Sequence, residues 1–294
     1  MIKIYTVSDK RPDFIRLQKE GFENYLYDKD YEFIVCNNGS SDQLRNDIHN
    51  ICEELSIKVL FVEGIYTDGA TATQVPIQYC LKHYISKDSK KNFTVIIDSD
   101  IFPFAPFSFM NLLDGNEIAG IYQQRDYKKI LFKQNHYYLW NALMIFNNSK
   151  INFSDFDISS IPGVTDVGGE THFYFKENKT KVKWLQHTAD IEIEEKAVFA
   201  LDLKNKYKEI FGMQIIANAL IHYYRGSNWD LSDTSYHIEK TEFLLNFLNF
   251  AKHSFPLQNA ELDKFSKMLS HSEKHYNGQR GNYKLIKKPF RRLA

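Results

Sequence analysis

Four times in its first 100 residues the chain alternates a short apolar segment with an amphipathic one, and this constrains the fold more than any other feature. Ile2 to Val7 alternates and stops at Ser8. Pro12 then suits the first turn of a helix whose apolar side carries Phe14, Leu17, Phe22 and Tyr25. "YEFIVCNNGSSD" (31–42) reads as a second strand broken at Asn37, Asn38 and Gly39, with Ser41 as the N-cap of a helix that aligns Leu44, Ile48, Ile51, Cys52 and Leu55. A third strand, "IKVLFVEG" (57–64), a helix from about Thr73 to Tyr84, and the run Phe93 to Ile97 complete the series. Strands and helices in alternation predict an open, mostly parallel α/β sheet. Ligands of such sheets bind beyond the carboxyl ends of the strands. Ser8, Asn37 to Ser40, Gly64 to Gln74 and Asp98 to Asp100 all fall at those ends.

The run "FTVIIDSDIFPF" (93–104) is continuously apolar up to Asp98 and Asp100. That is the pattern of a strand buried on both faces, so its end lies near the core. Two carboxylates there repel each other and lose hydration, and they need hydrogen bonds, a cationic partner or a shared metal ion. A hard divalent ion suits such oxygen ligands. A capping Asp beside a solvated one is the competing reading.

Beyond residue 105 strands are expected at Ile118 to Gln123, Tyr137 to Phe146 and Lys181 to Leu185, and a helix near Gly169. From about residue 238 the pattern is helical, with Phe243, Leu244, Phe247, Leu248 and Ala251 forming a stripe expected to pack on the main domain. The domain division is therefore 1–235 for the α/β unit and 236–294 for a helical extension.

Charge excludes one class of partner: Lys plus Arg and Asp plus Glu are 37 each, so no global field favours nucleic acid. Cys36, Cys52 and Cys80 are odd in number and lack CxxC spacing, which fits reduced thiols better than a disulfide framework or a zinc site. The opening "MIKIYTVSDK" has no signal-peptide layout and no apolar run approaches a membrane span, so a cytoplasmic location is expected. The tail "KLIKKPFRRLA" (284–294) interleaves Lys284, Lys287, Lys288, Arg291 and Arg292 with apolar residues. Such a tail can touch anionic lipid weakly, although a solvated end is the commoner role.

"FIVCNNGSSD" followed about 60 residues later by "VIIDSDIF" resembles the nucleotide-sugar half of a GT-A glycosyltransferase, the first segment being similar to the second-strand signature of family 2 enzymes. The resemblance covers residues 1 to about 230 and implies a GT-A fold, a mostly parallel central sheet flanked by helices. It departs from the family in having Asn37 and Asn38 where at least one Asp is usual. An amide can still read a base edge, being both donor and acceptor. The resemblance further implies a nucleoside diphosphate sugar donor, a glycan or other hydroxyl acceptor, and Mn2+ or Mg2+ at a DxD motif. Asp100 would ligate the metal directly. Asp98 would bind it or reach a sugar or ribose hydroxyl, and Ser99 permits the turn between them. Val7 and Ser8 would lie against the nucleotide.

"LIHYYRGSNWD" (220–230) is similar in kind to the late His, Gly-containing loop and Trp that complete the metal site in several metal-dependent GT-A families, but lacks the Lys-Pro-Trp ending of family 8. That implies His222 as a metal ligand, with Arg225, Gly226 and Ser227 at the diphosphate. Arg225 can replace the missing Lys because a guanidinium matches phosphate oxygens in pairs.

"PGVTDVGGETHFYF" (162–175) sets a Gly pair between two acids just before a helix. An inverting transferase needs one base within hydrogen-bond reach of the acceptor hydroxyl. Asp166 and then Glu170 are the candidates, helix capping being their ordinary role. Trp140 and Asn141 are expected on the acceptor side, where an aromatic face can stack on a sugar. The alternatives left by the sequence are a nucleotidyltransferase, a haloacid-type phosphatase and a non-catalytic sugar-binding module. The first lacks its Gly-rich loop in "TVSDKRPDF", and the second would have its Asp pair after the first strand.

Overall fold

The computed structural model describes residues 1–62, 64, 69–126, 135–162, 164–187, 214–223, 240–242, 244, 245 and 248. In chain order the elements are β1 (Ile2–Ser8), α1 (Pro12–Tyr25), β2 (Tyr31–Asn37), α2 (Asp42–Glu54), β3 (Lys58–Phe61), α3 (Gly69–His83) and β4 (Phe93–Asp98). There follow β5 (Ile101–Pro103), α4 (Phe109–Leu113), β6 (Ile118–Asp126), β7 (Asn135–Asn147), α5 (Thr171–Asn178), β8 (Val182–Leu185), β9 (Gln214–Ile216) and β10 (Leu220–His222). Seven strands form one sheet in the order β3-β2-β1-β4-β7-β6-β8. Only β7 opposes its neighbours; β1, β2, β3 and β4 are mutually parallel, and β6 is parallel to β8. This mixed α/β architecture, a large and mostly parallel sheet flanked by helices, is the expected fold class.

The strands are apolar on both faces because both are covered. In β4, Val95 and Ile97 join a core with Phe14, Ile15 and Phe22 of α1 and Ile48 and Cys52 of α2, whereas Ile96 joins Ile77, Cys80 and Leu81 of α3 on the opposite face. Each such buried side chain contributes about 1.5–3 kcal/mol relative to exposure. Local signals act as expected. Pro12 begins α1, and the Ser41 hydroxyl accepts the Leu44 N–H at 3.2 Å to cap α2. Leu244 and Leu248 pack on the α1 side, as the helical stripe required, while Phe243, Phe247 and Ala251 lie outside the described residues. So do the boundary near residue 235 and the basic tail.

Two features were not expected. α3 starts at Gly69, a turn before the expected start near Thr73, so Pro76 falls in the helix interior and has no N–H for the Ala72 carbonyl one turn back. The Asn38 side chain supplies the missing donor, its Nδ2 lying 3.0 Å from that oxygen. A second, three-stranded sheet in the order β5-β10-β9 stands beside the first. It exists because the chain leaves β4 through the turn at Ser99 and Asp100 and re-enters extended structure at once. Gly21 of α1 lets this sheet approach closely, since a Cβ there would lie 2.7 Å from Pro103 Cδ. Among the described residues no helix is long and apolar enough to cross a membrane.

Candidate functional site

The small sheet decides where the acidic turn points. β10 pairs antiparallel with β5, setting His222 opposite Ile101, and the Tyr223 N–H donates to the Asp100 carbonyl at 2.8 Å. Gln18, fully buried between Phe14 and Phe22 on α1, clamps the turn from below. Its Nε2 donates to the Asp98 carbonyl at 2.8 Å and to the Ile101 carbonyl at 3.0 Å. Three elements distant in sequence thereby fix one turn of main chain, and Asp98, Asp100 and His222 converge. One ligand atom from each lies within 4.8 Å of the others.

The convergence is electrostatically loaded. His222 Nε2 stands 3.2 Å from Asp100 Oδ1, and the two residues are only 3% and 8% exposed. Asn141 Nδ2 donates to Asp98 at 2.9 Å and 3.2 Å, one contact to each carboxylate oxygen. Loss of hydration, then the Asp100 charge, pushes the Asp98 carboxyl up to about 7, against the opposing pull of His222 and the Asn141 hydrogen bond. Two carboxylate oxygens and one imidazole nitrogen form a donor set suited to Mn2+ or Mg2+. A dication would relieve the repulsion that the protein alone does not.

The raised Asp98 value gives a stability prediction for metal-free protein. The folded state keeps this proton between the ordinary value of 3.8 and about 7, while the unfolded chain has released it. Its contribution is therefore full below about pH 4 and lost as pH rises through about 7. Asp98→Asn should melt higher than wild type at pH 8 in the presence of a chelator, with the gap shrinking towards pH 5. A gap independent of pH would show that the carboxyl is not desolvated.

The other expected residues divide into those facing the edge and those holding it together. Ser8 is the last residue of β1, fully buried, and its hydroxyl has no hydrogen-bond partner among the described residues. Val7 is half-buried and pairs with both Cys36 and Asp98. Asn37 and Asn38 are fully buried and tied to the scaffold: Asn37 Nδ2 donates to the Arg45 carbonyl at 2.8 Å and its Oδ1 accepts the Gly39 N–H, while Asn38 satisfies Ala72. Ser99 is half-buried in the turn. Trp140 meets the His222 ring at 5.2 Å, and Asn141 contacts Asp98, so both adjoin the triad. Arg225, Gly226 and Ser227 lie outside the described residues.

The loop carrying Asp166 and Glu170 is docked on β7 just before Trp140. The Thr171 hydroxyl accepts the Leu139 N–H at 2.9 Å and donates to the Gly168 carbonyl at 2.6 Å, and the Asp166 N–H donates to the Tyr138 hydroxyl at 3.3 Å. Asp166 is exposed and Glu170 half-buried. Glu170 occupies the N-cap position of α5 without a side-chain capping bond, and loss of hydration, then the Asp157 charge, holds its carboxyl above the ordinary range. Gly168 has φ +102°, and a Cβ there would collide with the Leu139 carbonyl oxygen. Gly168→Ala should therefore cost at least the roughly 1–2 kcal/mol of a left-handed L-residue. At about 2–4 °C per kcal/mol, melting should fall by several degrees. An unchanged melting temperature would mean that the loop is not seated on β7.

Sequence reasoning missed Gln18 and Gln214. Gln18 interrupts an otherwise apolar i, i+4 row, Phe14, Gln18, Phe22, and a polar residue in such a row requires buried partners. Gln214, which contacts His222 Nδ1 at 3.2 Å, was hidden because the β9–β10 hairpin turns at Ala217 and Asn218, a turn without glycine.

No protein-family model matches the sequence, and no curated protein matches it. Among solved structures the chain is similar to the bifunctional glycosyltransferase WbbM without ligand, at 13% identity over 63% of this chain and 38% of that one, TM-score 0.41. It is similar at 14% identity to the galactosyltransferase LgtC in complex with donor and acceptor sugar analogs, over 62% of this chain and 72% of that one, TM-score 0.41. The mannosyltransferase PcManGT from Pyrobaculum calidifontis, in complex with GDP-Man and Mn2+, matches at 14% identity over 62% and 54%, TM-score 0.41. The chain thus spans well under two thirds of the length of two of these three.

Proposed function

We propose that the protein is a metal-dependent glycosyltransferase that moves a sugar from a nucleoside diphosphate sugar to a hydroxyl acceptor such as a glycan. The observation that carries this reading is the convergence of Asp98, Asp100 and His222 at the carboxyl edge of a mostly parallel sheet, the edge at which such folds bind ligands. Mn2+ or Mg2+ held there would neutralise the charge growing on a diphosphate leaving group. Asp100 and His222 provide the buried side of that site, and Asp98, oriented by Asn141, provides the half-buried side facing the donor. Trp140 keeps the imidazole in place from one flank. Arg225, Gly226 and Ser227, three to five residues past His222, are assigned to the diphosphate, and Val7 and Ser8 to the nucleotide. Glu170 is the better candidate for the acceptor base, ahead of Asp166. Loss of hydration and the Asp157 charge raise its carboxyl above the ordinary range, which makes it the stronger base, and no capping bond engages it.

Asn141 donates to both oxygens of the Asp98 carboxylate, which fixes its orientation at the site. The test is a panel of nucleoside diphosphate sugars assayed by thermal melting with and without Mn2+. A true donor at 100 times its dissociation constant should add about 2.7 kcal/mol, and only when metal is present. If no sugar nucleotide stabilises the protein in a metal-dependent way, the reading fails.

A further inference from the structure

His222 faces Gln214 across the β9–β10 hairpin, the two being register partners. Both are buried, at 3% and 9% exposure, and Gln214 Oε1 stands 3.2 Å from His222 Nδ1. The opposite ring nitrogen, Nε2, stands 3.2 Å from Asp100 Oδ1. An amide oxygen only accepts, so a hydrogen bond at Nδ1 requires the proton to be on Nδ1. In the neutral ring Nε2 then carries a lone pair directed at the Asp pair. A lone pair facing a carboxylate oxygen at this distance is repulsive unless a proton or a cation lies between them. The same hairpin would permit the reverse arrangement, with the amide turned so that its NH2 donates to Nδ1 and Nε2–H donates to Asp100. That arrangement closes the triad with a hydrogen bond and removes the imidazole from the donor set.

We propose that Gln214 is the positioning residue that holds His222 protonated at Nδ1, presenting Nε2 to a divalent cation shared with Asp98 and Asp100; this rests on the metal-site reading above. A ligating imidazole whose other nitrogen donates to a fixed acceptor is oriented and made more basic, and losing such an acceptor typically weakens metal binding 10–100-fold. Burial of the pair strengthens the contact, since Gln214 and His222 are both shielded from water.

Gln214→Glu, when ionised, can only accept, whereas Gln214→Leu can neither accept nor donate. Mn2+ affinity of the full chain, measured from the signal of free Mn2+ in electron paramagnetic resonance, should fall roughly 10–100-fold in Gln214→Leu and be at least as tight as wild type in Gln214→Glu. A low-field ring N–H proton resonance, assigned by its loss in His222→Ala, should report Nδ1 in metal-free wild type and in Gln214→Glu and disappear in Gln214→Leu. If Gln214→Leu does not fold, the Glu variant decides, since it abolishes the reverse arrangement. Wild-type affinity in the Leu variant, lost affinity in the Glu variant, or a resonance belonging to Nε2 would each overturn the proposal. Failure of wild type to bind Mn2+ at all would instead sink the metal-site reading, and the ring resonance would still decide the role of Gln214.

Discussion

Asp100→Ala should reduce metal-dependent turnover of a sugar nucleotide by at least roughly 100–1,000-fold, the loss that follows removal of one electrostatic stabiliser of a developing negative charge, while the protein stays folded. The fold should survive because the turn is held through main chain. The Tyr223 N–H bonds the residue 100 carbonyl, and Gln18 bonds the carbonyls of Asp98 and Ile101, none of which the substitution touches. What disappears is a nearly buried carboxylate 3.2 Å from an imidazole and close to a second carboxylate. Removing it deprives His222 of a partner but also relieves the repulsion on Asp98, so the two stability effects oppose each other. The effect on a dication has no such offset, since one of two anionic ligands is gone. Turnover with saturating Mn2+, read beside a thermal melt, separates the two. A near wild-type rate in a folded Asp100→Ala protein would show that the acidic turn does not hold the metal, and Asp98→Ala should behave likewise.

The first half of the fold was legible because each element there announces itself locally. Pro12 and Ser41 start helices, and periods of two and of 3.6 separate strand from helix. A strand apolar on both faces, such as Phe93 to Ile97, needs a cover on each side. The Asp pair was legible for the same reason, since two carboxylates ending a buried strand require an explanation. His222 was legible as a third ligand only through its likeness to a late metal-ligand motif, not through any strand pattern. Its place depends on the pairing of Ile101 with His222 between strands of three residues each, too short to carry a periodicity. Asn37 and Asn38 carry a role that their position at the ligand edge did not announce. One amide supports the Arg45 carbonyl and the other the carbonyl that Pro76 leaves without a donor. The signal for Asn38 was in the sequence, as a proline inside a helix, but it lay far along the chain from the residue that answers it.

Glu170→Gln should lower sugar transfer by roughly the 100–10,000-fold that a positioned base supplies, leaving donor and metal binding unchanged. The two acids differ in a way that their sequence spacing did not reveal. Asp166 is exposed, and its main chain is engaged by the Tyr138 hydroxyl. Glu170 is half-buried, its carboxyl is raised by loss of hydration and then by Asp157, and its N–H donates to the Ser159 carbonyl at 2.9 Å, which fixes the residue. A carboxylate raised above the ordinary range by loss of hydration is the stronger base. Because Gln is nearly isosteric and no capping bond is lost, a large fall in rate would report proton transfer rather than packing. Asp166→Asn should transfer at close to the normal rate. If the two outcomes are reversed, the role belongs to Asp166. If both variants remain active and the product keeps the anomeric configuration of the donor, the reaction is retaining and neither acid serves as its base.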